Sequence, residues 1–118
     1  MKQFINEKET VVTEAIDGHL RIAGGRLARL DGYPHIKVVV RTDWDRSKVA
    51  LVSGGGSGHE PSHAGFVGPG MLTAAVCGDV FASPSVDAVL AGTLSAPAKS
   101  GRPLLGQEQR GDRLLSRL

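Results

Sequence analysis

An α/β fold is predicted from three features of the 118-residue chain. A helix-spaced apolar stripe comes first, two β-branched apolar runs follow, and the second of these feeds directly into a cluster of glycines. The length allows one small core and leaves no room for a second full domain. Aromatic residues make up only 4% of the chain, so the core must be built from Val, Leu, Ile and Ala, which suits sheet layers joined by glycine turns.

Between Glu7 and Ile22, Val11, Val12, Ala15, Ile16 and Leu20 recur at three- and four-residue spacing, the mark of an amphipathic helix. Gly24, Gly25, Gly32 and Pro34 break the next segment, which reads as a connection. Ile36–Arg41 is of strand length and ends at Thr42-Asp43. Lys48–Val52 reads as a second, buried strand that opens into Ser53-Gly54-Gly55-Gly56-Ser57-Gly58. Ligand sites in open α/β sheets favour such strand ends. A helix is expected after Gly58, with Pro61 in its first turn, where a missing N–H costs nothing. Ser83-Pro84-Ser85 then caps a short helix carrying Val86, Val89, Leu90 and Leu94.

Composition narrows the function classes. Hydrophobic residues at 41% and charged residues at 22% are ordinary for a globular protein. Residues 99–118 carry five basic and two acidic side chains, net +3, which leaves −1 for residues 1–98. A basic end without interleaved aromatics is no nucleic-acid surface, and a nearly neutral body offers none either. Cys77 is the single cysteine, which excludes an intrachain disulfide. The charged start is no signal peptide, and no run approaches the roughly 18 apolar residues of a membrane span. The cytoplasm is the expected compartment.

Four glycines in five positions let backbone N–H groups approach a polar ligand that any Cβ would hold off. The familiar phosphate loops do not fit. Gly58 is followed by His59 rather than by the Gly-Lys-Ser/Thr ending of a nucleotide-triphosphate loop, and His59 also stands where the dinucleotide fingerprint needs its third glycine. His59-Glu60-Pro61-Ser62-His63 satisfies the zinc-protease pattern H-E-x-x-H, which needs both histidines on one regular helix. Pro61 and the preceding glycines argue against that helix, and no metal site is expected.

The string Ser53–Pro61 resembles the substrate loop of the dihydroxyacetone (glycerone) kinases. Gly65-Phe66-Val67-Gly68, Gly70-Met71-Leu72 and the segment from Val76 to Val89 resemble further blocks of that family at similar spacing. The likeness runs from Met1 to about Leu94 and is nearer the ATP-dependent, single-chain kinases than those using a phosphotransferase-system donor. It implies an α/β fold, here an incomplete N-terminal portion of the family's K-type substrate domain. It also implies that backbone groups of Gly56, Ser57 and Gly58 hold a short keto sugar such as dihydroxyacetone. His59 would lie against the substrate in an orienting or acid/base role, in keeping with imidazole chemistry near neutral pH. His63 is expected to support the loop.

The family also uses an aspartate that accepts the proton of the phosphorylated hydroxyl, within a segment resembling Lys-Asn-Tyr-Thr-Gly-Asp. Counting forward without gaps makes Asp112 the candidate, although Gln107-Glu108-Gln109-Arg110 departs from the preceding pattern. The histidine that binds the carbonyl covalently in this family lies beyond position 118. ATP and magnesium are expected on a separate domain or subunit, so this portion binds no cofactor itself, and the complete protein is expected to be a homodimer.

Residues 1–94 thus read as a partial substrate-binding domain and residues 95–118 as a divergent tail, in the manner of a shifted reading frame or premature stop. The chain alone is expected to be inactive and aggregation-prone, with strand edges and apolar faces of residues 36–52 uncovered. The alternative reading is a noncatalytic remnant that binds a triose or a partner subunit. A small zinc hydrolase is the third.

Overall fold

The computed structural model describes residues 3–32, 36–97, 99 and 104–105. A 3₁₀ turn at Lys8–Thr10 leads into helix α1 (Val11–Ala23), with Val12, Ile16 and Ala23 buried. Thr10 Oγ1 and Asn6 Nδ2 donate to the Glu14 carboxylate at 3.3 and 3.1 Å and tie down the first turn. The helix stops at Gly24, whose φ of +61° suits the left-handed position past a helix end, with its N–H donating to the Arg21 carbonyl.

Strands β1 (Leu27–Gly32), β2 (Ile36–Arg41), β3 (Leu51–Ser57), β4 (Ala74–Val80) and the short β5 (Leu104–Leu105) form one sheet in the order β1-β2-β4-β3-β5. The β1–β2 and β2–β4 pairs are antiparallel, whereas β3 runs parallel to β4 and to β5. Helix α2 (Val86–Leu94) starts at Ser85, whose hydroxyl accepts from the Ala88 N–H at 3.2 Å.

Alternation along the strands divides the core between the two faces of the sheet. Val38, Val52 and Val76 pack with Ala88 and Val89 of α2 on one face. Val39, Ala75 and Cys77 meet Val12 and Ile16 of α1 on the other. The Trp44 indole N–H donates to the Pro97 carbonyl at 2.6 Å and fastens the segment after α2 to the loop before β3.

Several expectations need correction. The segment after Gly24 contains strand β1, held by six paired positions with β2, from Leu27↔Arg41 to Gly32↔Ile36. Gly54, Gly55 and Gly56 are strand residues, not loop residues. No regular helix follows Gly58: the chain turns through a cis Glu60–Pro61 bond into a single 3₁₀ turn, Ala64–Phe66. Residues 36–41 are not uncovered, since β2 has a neighbour on each side and Val38 and Val39 are fully buried. The uncovered surfaces lie elsewhere. Among the described residues, β3 pairs with β5 only at Leu51 and Val52, and Val86, Leu90 and Leu94 of α2 face outward at 40%, 44% and 70% exposure.

Candidate functional site

The carboxyl ends of the parallel neighbours β3 and β4 lie side by side, and two turns leave them, one at Gly58–His63 and one at Phe81–Ser85. Glycine makes that proximity possible. A Cβ on Gly54 would strike the Val76 carbonyl oxygen, and one on Gly56 would lie 3.0 Å from the Ala82 nitrogen and 3.2 Å from the Phe81 carbonyl carbon. A Cβ on Gly78 would strike the Ala82 carbonyl and come within 2.9 Å of the Pro84 nitrogen. Gly54, Gly56 and Gly78 therefore serve close backbone packing. Within the run from Gly54 to Gly58, only Gly58 adopts a positive φ, at +113°.

The β3–β4 register shifts between Gly55, opposite Cys77, and Ser57, opposite Val80. Around that irregularity the buried Ser57 hydroxyl donates to the Gly78 carbonyl at 2.9 Å, and the Phe81 N–H donates to the Ser57 carbonyl at 2.7 Å. The Gly58 N–H, an expected ligand donor, points at the carboxylate of exposed Glu60, with both oxygens at 3.2 Å. An anionic or hydroxyl oxygen is thus an acceptable partner at that position, and the protein's own side chain supplies one. His59 is exposed on the turn, and its ring meets His63 edge to face at 6.2 Å between centroids. The helical scaffold that H-E-x-x-H chemistry requires is not formed. Asp112 lies outside the described residues.

Next to the loop, between α1 and the Gly58–His63 turn, is a cavity of about 630 Å³ bordered by Ile16, His19, Ser57, Glu60, Pro61 and Cys77. His19 Nε2 is buried without a hydrogen-bond partner among the described residues. Burial, reinforced by the Glu60 charge and partly offset by Lys37, pushes the Cys77 thiol up to about 11. The unfolded chain would release that proton first, nearer the ordinary value of 9.0, so the stability gained is whole below pH 9 and is lost as pH rises through 11. The loss amounts to about 2–3 kcal/mol. Iodoacetamide at pH 8 should therefore leave Cys77 unmodified in the folded protein and label it in denaturant; equal labelling in both would refute a buried, protonated thiol.

Two features escaped the sequence reading. Ala74–Val80 was not identified as a strand, although its apolar residues are of strand length. Phe81 received no role, although it adopts φ +51°, a left-handed conformation costing a residue with a side chain about 1–2 kcal/mol. Its ring lies over Gly58, so that a Cβ there would be 3.3 Å from Phe81 Cζ.

Residues 23–118 match the Dak1 domain family, and the matched span includes the residues after Leu94 that the sequence reading set apart. A putative 3,4-dihydroxy-2-butanone kinase of Solanum lycopersicum is 54% identical over 116 residues, covering 96% of this chain and 19% of its own length. The dihydroxyacetone kinase of Citrobacter freundii is 52% identical over 112 residues, or 94% of this chain and 20% of its own. A crystal structure of the C. freundii kinase with AMP-PNP and Mg²⁺ superimposes with a TM-score of 0.85 at 51% identity, over 96% of this chain and 21% of that one. The dihydroxyacetone-binding subunit DhaK of a PTS-dependent kinase from Listeria innocua is 44% identical over 95% of this chain and 33% of its own. The chain belongs to the Dak1 domain family. It spans about a fifth of the first two relatives, and no helix among its described residues is long and apolar enough to cross a membrane.

Proposed function

We propose that this chain supplies the substrate-binding portion of a kinase that phosphorylates dihydroxyacetone or a similar short keto sugar. The observation that carries the reading is the Gly56–His59 segment at the paired carboxyl ends of β3 and β4, in a chain 52% identical to a dihydroxyacetone kinase. Backbone groups of Gly56, Ser57 and Gly58 bind the sugar oxygens, with the sugar taking over the contact that Glu60 makes to Gly58. His59, one residue on, orients the substrate or exchanges a proton with it. Asp112 is assigned the proton of the hydroxyl that receives phosphate.

The glycine segment lacks the lysine of a nucleotide loop. In this reading ATP and magnesium are held by a separate domain or subunit. The chain by itself is therefore inactive in this reading. The complete protein is a cytoplasmic homodimer.

The test is a hybrid kinase: the C. freundii enzyme with its matching fifth exchanged for residues 1–118. ATP-dependent phosphorylation of dihydroxyacetone within about tenfold of the parent is expected. A folded hybrid that neither binds nor phosphorylates the triose would refute the reading.

A further inference from the structure

We infer that Phe81 is a specificity-determining residue, the apolar wall against which a short sugar is held at the Gly58–His59 end of β3. The inference rests on the proposed triose site and adds a side chain to what is otherwise a site of backbone donors.

Four observations converge on it. Phe81 is one of two non-glycine residues at positive φ among the described residues, and the residue is 80% exposed, so packing among the described residues does not explain the conformation. Its N–H is fixed to the Ser57 carbonyl at 2.7 Å, which ties the residue to the candidate loop. Its Cζ and Cε1 atoms lie 3.3 and 3.4 Å from where a Gly58 Cβ would be, so the ring seats on the glycine whose N–H is an expected ligand donor. The turn that presents it is held at both sides: the Ala82 N–H donates to the Asp79 carbonyl at 3.1 Å, and the Asp79 carboxylate accepts from Lys37 at 2.9 Å. Strained backbone that gains no burial is characteristic of binding sites. Small-ligand sites combine apolar or aromatic walls with a few placed polar groups, and this site has the polar groups on the backbone and one aromatic ring beside them.

In the hybrid kinase, Phe81→Gly removes the ring at a position where glycine is at ease, and Phe81→Asn removes it with a residue that tolerates positive φ. Both should raise the KM for dihydroxyacetone roughly tenfold, with kcat within about threefold and an unchanged or higher melting temperature. Phe81→Tyr should keep KM within about threefold. A KM in Phe81→Gly within about twofold of the parent hybrid, or a Phe81→Tyr variant as impaired as Phe81→Gly, would overturn the inference. Failure of the unsubstituted hybrid to use dihydroxyacetone would instead overturn the proposed function, so the two failures are separable.

Discussion

His59→Asn in the hybrid kinase should lower turnover on the order of a hundredfold while leaving the melting temperature within about 2 °C. The kinetic effect follows from removing an imidazole that meets the substrate in the proposed site. The small stability effect follows from its position: His59 is exposed on the turn, where its ring meets His63 edge to face. Asparagine retains hydrogen-bonding capacity, and the backbone donors of Gly56–Gly58 are untouched, so KM should change far less than kcat. His63→Asn is the control, with a modest effect on both. Steady-state kinetics and thermal melting decide the matter, and unchanged turnover would remove His59 from the chemistry.

Gly78→Ala should produce the largest loss of stability of any single methyl added to the site. The new Cβ would strike the Ala82 carbonyl oxygen and crowd the Pro84 nitrogen at 2.9 Å and the Ser83 carbonyl carbon at 3.1 Å. All three are backbone atoms, so no side chain can swing aside. The turn would have to move, and with it the hydrogen bond from Ser57 to the Gly78 carbonyl. Overpacking of this kind costs about 1–3 kcal/mol or more, which lowers the melting temperature of a domain this size by several degrees. Gly68→Ala, where nothing lies within 4 Å, should be neutral to about 0.5 kcal/mol. Equal melting curves for the two variants would show that the Ala82–Pro84 turn does not pack on β4 as described.

Periodicity and capping made much of this fold readable in advance. The stripe of α1, the β-branched run of β2 and the Ser85 cap of α2 are local signals, and the structure places a helix or strand at each. Strand β1 was hidden because glycines flank it and its only claim to strand geometry is pairing with β2, a contact that no local pattern encodes. The glycine run misled for a related reason. Glycine has poor strand propensity, so Gly54–Gly56 read as loop, whereas the tight approach of Val76 and Ala82 makes glycine the residue that fits a strand there. Pro61 resembled a helix start, but the residues after it make one 3₁₀ turn. The candidate site was legible as a string, Gly56 through His59, and through its likeness to a family. Its second wall, the Phe81 turn, was not, because it arrives from β4 and depends on the parallel pairing of two strands distant in sequence.

The joint between Trp44 and Pro97 makes the protein its own spectroscopic reporter. Trp44 is the single tryptophan, its indole is half-buried against the α2 side of the sheet, and the Arg41 guanidinium lies 5.7 Å from the ring centroid. Tryptophan emission therefore comes from one place, the end of the sheet where β3 begins. The candidate site lies at the other end of that strand, about 20 Å away at the rise of an extended chain. Detachment of the segment after α2 should shift the emission to the red and expose the indole to iodide quenching. Filling of the Gly56–His59 site should leave the spectrum silent, so a fluorescence change on adding a triose would signal movement through the whole length of β3.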